Sequence, residues 1–221
     1  MSFITDLSSA FKTNANAENA IPMQAYMKGL FKYHGIKTDR RRKLFKEAWN
    51  NHKSEVASNP REIAQELYSK AEREYHYCAI EILMKELKKK FLKEDISLIE
   101  KLTVTHSWWD SVDVIAKYLL GEYLIQYPEE TYRVIKHFSD SDNMWMNRCA
   151  ILFQLGYKKN TDKHILFSEC LKHKESKKFF IRKAIGWALR EYAKTNPEDV
   201  RAFVITANLK PLSTREALKN I

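Results

Sequence analysis

Apolar residues recur three and four positions apart along almost the whole chain, and strict alternation never lasts long. That periodicity predicts amphipathic helices rather than strands. The pattern is interrupted at Thr13–Pro22, His34–Thr38, His52–Pro60, His137–Asp142, Gly156–Asp162, Lys172–Ser176 and Asn208–Ser213. Several interruptions carry helix-start chemistry: Thr38 with Asp39, Asp142, and Thr195-Asn196-Pro197. Between them the pattern predicts helices of about 10 to 18 residues joined by short connections, as in stacked helices.

The helices repeat. The pairs Ala79-Ile80, Val114-Ile115, Ala150-Ile151 and Ala184-Ile185 stand 35, 36 and 34 residues apart, each inside a comparable segment: EYHYCAIEIL, WWDSVDVIAKYL, MWMNRCAILFQL and FFIRKAIGWAL. One helical pair per repeat at that period predicts an all-α fold, a right-handed α-solenoid of HEAT-like repeats. The tetratricopeptide pattern of Trp, Leu-Gly and Tyr is missing. If the anchor pairs are buried, a neighbouring face carries Glu74, Cys78 and Ile82, then Trp109, Asp113 and Lys117, then Trp145, Cys149 and Phe153, then Phe179, Lys183 and Trp187. A stripe so mixed in polar and aromatic residues is expected to line a concave surface rather than a core.

Composition narrows the partners. The 221 residues, with only 5 Gly and 5 Pro, suggest a single domain over 1–221 and argue against turn-rich sandwiches. A net charge of +10 favours an anionic partner. Lysine and arginine runs at Lys37–Lys43, Lys85–Lys90, Lys158–Lys163 and Lys172–Lys178 fall where repeats join, as phosphate tracking along a duplex requires. No segment joins a basic face to a broad apolar one, so a membrane partner is not expected. Cys78, Cys149 and Cys170 are few and scattered, and no leader pattern opens the chain, so a cytoplasmic monomer is expected.

The five glycines form no nucleotide-binding loop, and the seven histidines include neither HExxH nor a pair four apart. Neither a nucleotide cofactor nor a metal is therefore expected, and no nucleophile has an evident base and orienter. What remains is Ser107-Trp108-Trp109-Asp110-Ser111-Val112-Asp113, with Trp109 and Asp113 one turn apart. One reading packs both tryptophans between repeats and leaves Asp113 a solvated charge. The other turns one indole to the concave side, because adjacent helical residues point about 100° apart. Trp187, two repeats on, would stand roughly 16–20 Å away at the backbone, so inward indoles could frame a slot the width of a sugar ring.

These residues carry a resemblance. LTVTHSWWDSVD (102–113), SDNMWMNRCAILFQLGYK (141–158) and SKKFFIRKAIGWALREYAKTNPEDV (176–200), with YMKGLFKYHGIKT (26–38), REYHYCAIEIL (73–83) and PLSTREALK (211–219), resemble the DNA alkylation repair family of HEAT-like DNA glycosylases over nearly the whole chain. The resemblance implies excision of cationic bases such as 7-methylguanine and 3-methyladenine from double-stranded DNA wrapped by a basic concave face. It also implies that the base is not flipped out, unlike the general habit of glycosylases. It assigns the catalytic carboxylate to Asp113, its flanking indoles to Trp109 and Trp187, and DNA contacts to Arg148, Tyr26, Lys37 and Arg190, with no cofactor. The family's GI-x-TPERR stretch reads Gly35-Ile36-Lys37-Thr38-Asp39-Arg40-Arg41-Arg42 here, with Asp39 in place of the proline. Two other readings stay open: a non-catalytic HEAT-like protein that recognises distorted or branched DNA, and a protein-binding scaffold.

Overall fold

The computed structural model describes residues 2–219. The chain is all-α, as its periodicity predicts: among the described residues there is no strand, only an isolated bridge between Lys32 and Glu72. The helices gather into two compact units, Met1–Lys90 and Phe91–Ile221.

In the first unit, helix α1 (Phe3–Thr13) starts at Ser2, whose side chain accepts from the Thr5 N–H, and buries Phe3, Leu7 and Phe11 at four-residue spacing. Helix α2 (Ala17–Tyr26) occupies much of the interval expected to be a break at Thr13–Pro22. The Asn16 side chain accepts from the Asn19 N–H at 2.8 Å and fixes its start. Pro22 lies inside the helix on its exposed side, so its ring meets solvent rather than a packed neighbour. Helix α3 (Thr38–Asn51) begins at the expected residue, although Lys37 holds the cap position without a side-chain bond. A short α4 (Lys53–Ser58) fills the His52–Pro60 interval. Helix α5 (Pro60–Tyr68) opens on its proline, where a missing N–H costs nothing. Helix α6 (Arg73–Glu86) carries the first anchor pair.

The turn before α3 depends on Gly35. Its φ is +83°, and a Cβ there would fall 1.9 Å from the Asn16 carbonyl oxygen, so only glycine fits.

The second unit continues with α7 (Asp95–Val104) and α8 (Trp109–Val114), which passes into a π-helical stretch at Ile115–Leu120 and then α9 (Gly121–Gln126). Helix α10 (Thr131–Asp140) runs through the residues expected to break at His137 and stops only at its last turn. Helix α11 (Met144–Leu152) is capped by Asn143, not by Asp142: the Asn143 side chain accepts from the Trp145 N–H at 2.9 Å. There follow α12 (Lys163–Lys172), α13 (Phe179–Ala193), α14 (Pro197–Ala207) and α15 (Pro211–Ala217). Helix α14 ends on Asn208 at φ +50°, a left-handed residue that stops a helix.

The anchors are core, as expected. Ala79, Ile80, Ile115, Ala150, Ile151, Ala184 and Ile185 are buried and Val114 is half-buried. Each buried isoleucine among them contributes about 1.5–3 kcal/mol, so the repeat period is also the period of the core. Helix α11 packs on α8 and on α13, and α13 meets α15 closely. A Cβ added at Gly186 would stand 2.4 Å from the Glu216 Cβ and 2.9 Å from the Ser213 carbonyl oxygen.

Candidate active site

Trp108 and Trp109 separate because they belong to different backbone states. Trp108 is extended (φ −157°, ψ 159°) and precedes the helix, whereas Trp109 is its first residue. The expectation of two indoles fanned around one helix is therefore corrected. Trp108 turns into an aromatic cluster with Trp145, at 5.7 Å between centroids, and Phe180, at 5.1 Å. Trp145 and Phe180 close the triangle at 5.1 Å. Trp109 stays half-buried on α8, one turn before Asp113.

Asp113 is held by Arg148 of α11. The Arg148 Nε donates to Oδ1 at 2.6 Å and Nη2 to Oδ2 at 2.9 Å, a bidentate pair. Arg148 Nη1 donates to the backbone carbonyl of Phe180 on α13. One guanidinium thus ties three successive repeats together. The Arg148 side chain is only 5% exposed and that of Asp113 14%. Arg148 is expected to contact DNA; its Nε, Nη1 and Nη2 each donate once, to the carboxylate and to the Phe180 carbonyl. Burial pushes the Asp113 carboxyl above its ordinary value, and the Arg148 hydrogen bonds pull the other way.

The remaining expected residues stand on other elements. Trp187 is half-buried on α13, seven residues after Phe180. Arg190 is engaged by Glu216, with Nη1 donating to Oε2 at 2.9 Å and to the carbonyl oxygen at 3.2 Å. Tyr26 and Lys37 belong to the first unit. Tyr26 is 67% exposed and borders a cleft of about 410 Å³ with Met23, Tyr33, Thr38, Arg41 and Tyr77. Lys37 is exposed at the start of α3.

The mixed stripe is not one continuous surface, which corrects the expectation. In the first and third repeats it is largely core: Glu74, Cys78, Ile82, Cys149 and Phe153 are buried. The Glu74 carboxylate accepts the backbone N–H groups of His34, Gly35 and Ile36, at 3.2, 3.0 and 3.2 Å, and so serves the Gly35 turn. Burial pushes the Cys78 and Cys149 thiols up to about 12, far from any nucleophilic role. The second and fourth repeats leave all three stripe positions partly open, at Trp109, Asp113 and Lys117 and at Phe179, Lys183 and Trp187, whereas the third does so at Trp145 alone.

The basic runs are likewise thinned by internal partners. Arg41 is buried with Glu81 at 2.8 Å, Lys163 pairs with Asp199 at 3.0 Å, Lys172 with Asp140, and Lys174 donates to the Ala207 carbonyl. Lys88, Lys89, Lys90, Lys158, Lys159, Lys177 and Lys178 remain exposed. Phe180 was not among the residues singled out from sequence. Its signal is its place beside Phe179 at a helix start, but a carbonyl acceptor leaves no mark in side-chain pattern.

Among the described residues, no group of three or more His, Cys, Asp or Glu could hold a metal, and no helix is long and apolar enough to cross a membrane. The arrangement offers a half-buried carboxylate with a fixed orientation, one helical turn after Trp109.

Residues 7–221 match the model of a family described as DNA alkylation repair enzyme. Among solved structures, the chain is similar to a protein described as a predicted DNA alkylation repair enzyme from Enterococcus faecalis. The two share 32% identity and a TM-score of 0.85, over 94% of this chain and 96% of that one. No curated protein matches it. By a match that runs over nearly its whole length, the chain belongs to the DNA alkylation repair enzyme family.

Proposed function

We propose that this protein is a DNA glycosylase that excises cationic N-alkylated purines, 7-methylguanine and 3-methyladenine, from duplex DNA without flipping the base. The observation that carries the reading is a single oriented carboxylate, Asp113, with Trp109 one turn away on the same helix.

Breaking the C1′–N bond sends its electron pair to the purine, which leaves as a neutral base and needs no proton from the enzyme. Positive charge develops on the deoxyribose, as in other glycoside cleavages. A carboxylate already fixed at that point stabilises the charge without reorganising. Water then adds at C1′ and loses a proton, with Asp113 placed to orient it. Indole faces at Trp109 and Trp187 attract the same cation. In this reading Arg148 is a positioning residue: it holds both carboxylate oxygens and keeps Asp113 ionised. Neutral lesions lack the leaving group and should be poor substrates.

The test is release of 7-methylguanine and 3-methyladenine from methylated duplex DNA, by mass spectrometry, for wild type and Asp113→Asn. Release by the wild type alone supports the assignment, whereas equal release by both overturns it. A second reading, a non-catalytic DNA-binding protein, draws on the engagement of both Asp113 oxygens by Arg148. It predicts salt-dependent duplex binding with no base release by the wild type.

A further inference from the structure

We infer that Lys117 anchors a backbone phosphate of the bound DNA one helical turn beyond Asp113, from a seat that Gly156 keeps open. The inference rests on the reading of this protein as a duplex-binding repair enzyme, and it concerns binding rather than the excision step.

Lys117 follows Asp113 by four residues, inside the π-helical stretch that opens at Ile115, and so stands about one turn further along the same face of the helix. Trp109, Asp113 and Lys117 are therefore successive members of the row that carries the candidate site, and all three are half-buried. Several other lysines of this unit are spent on carboxylates: Lys93 on Glu129, Lys163 on Asp199, Lys172 on Asp140, Lys183 on Glu216. Among the described residues, Lys117 has no carboxylate paired with it in that way. The carboxylate nearest to it along its row, Asp113, is taken by Arg148. The Lys117 ammonium stands 4.7 Å over the ring of its neighbour Tyr118.

The seat is at Gly156, which follows Arg148 by eight residues beyond the end of α11. A Cβ added there would meet the Lys117 Cε at 3.3 Å and Cγ at 3.9 Å, and nothing else within 4 Å. Gly156 does not have the positive φ that marks Gly29 and Gly35. Its backbone conformation thus does not demand glycine. What the bare position does is let the lysine stem lie along the chain, with its ammonium carried to the Tyr118 ring. A lysine whose stem is already packed has less freedom to lose when an anion arrives. Two rungs join the same pair of segments: Asp113 with Arg148, and Lys117 with Gly156. The first would face the sugar; the second offers a point charge to the phosphodiester next to it, of the kind that fixes register without reading sequence.

The experiment measures affinity for undamaged duplex DNA between 50 and 200 mM salt, for wild type, Lys117→Gln, Lys117→Arg, Gly156→Val and the double variant Lys117→Gln/Gly156→Val, with thermal melts to confirm folding. One lost phosphate contact lowers the slope of log affinity against log salt by about 0.9, so the advantage of wild type over Lys117→Gln should shrink about 3.5-fold across that range. Lys117→Arg should keep the wild-type slope. Gly156→Val should reproduce the loss of Lys117→Gln, and the double variant should add nothing to it. An unchanged slope in Lys117→Gln overturns the contact, and additive losses in the double variant overturn the seat. Failure of the wild type to bind duplex overturns the underlying reading as well, whereas binding without base release overturns the excision reading alone.

Discussion

Removing the Arg148 guanidinium isolates the energetics of the site. Arg148→Met leaves a carboxylate that is 14% exposed without its bidentate partner, and leaves the Phe180 carbonyl without that donor. Breaking a buried pair from one side costs about 3–5 kcal/mol, because the surviving charge stays desolvated. For a chain of this length, 1 kcal/mol corresponds to roughly 2–4 °C in melting temperature, so a fall of about 6–20 °C is expected. Replacing both partners, Asp113→Leu with Arg148→Met, removes the stranded charge. Such exchanges are often neutral or stabilising by about 1–4 kcal/mol. The double variant should therefore melt well above the Arg148→Met single variant, although it alone of the two lacks the excising carboxylate. Urea denaturation at pH 7 of the wild type, each single variant and the double closes the cycle and yields the coupling. A single-variant cost below about 1 kcal/mol, or losses that simply add, would refute the account of Arg148 as the neutralising partner of a desolvated carboxylate.

Three further outcomes follow from the same contacts. The excision rate should fall on the acid side as Asp113 takes up a proton, with the midpoint above the ordinary value of 3.8, because burial raises it. Arg148→Met should move that midpoint higher still, which a pH–rate profile reads directly. Gly186→Val should loosen α15 from α13, because its Cβ would collide with Glu216 and the Ser213 carbonyl; overpacking of this kind costs about 1–3 kcal/mol, visible in thermal melts. His173 is half-buried and held down to about 4, with desolvation the main cause. The unfolded chain then binds a proton that the native state refuses, so His173 makes stability fall as pH drops from about 6.5 towards 4, by roughly 3 kcal/mol at most. Glu169, raised by its burial beside Ser139, acts in the opposite sense from about 4.5 upward, so His173→Gln should flatten or invert the slope of stability against pH.

The core was legible because its signal is a period. The four anchor pairs stand one repeat apart, and the residues that keep that spacing are the ones withdrawn from water. Helix limits were less legible where one polar side chain outweighs a nearby breaker. Asn16 starts α2 despite Pro22, and Asn143 rather than Asp142 starts α11. The site was legible as residues but not as roles. Asp113 and Arg148 were named from the sequence, yet their mutual grip depends on two helices 35 residues apart in the chain meeting in register. The stripe misled for a related reason. A charged residue at a stripe position looks exposed unless its partners are known, and the partners of Glu74 are backbone N–H groups of a distant turn. Trp108 escaped the helical geometry assumed for it because an extended residue at a helix entry is a local backbone choice with no side-chain signature.

The π-helical stretch at Ile115–Leu120 has a consequence for how this site tolerates change in length. Bonds that reach one residue further than in an α-helix absorb one residue of twist, about 100° of rotation. The stretch works as slack between two lengths of one shaft: Trp109 and Asp113 on one, Tyr123 and Leu124 on the other. Deleting one residue within it would heal the helix to a regular α form. Everything beyond would keep its orientation, and Gly121, whose absent side chain leaves room for the Phe153 carbonyl, would still face it. A one-residue deletion inside the stretch should therefore cost little stability, whereas the same deletion in α8 before it would turn all that follows by about 100° and unseat the core.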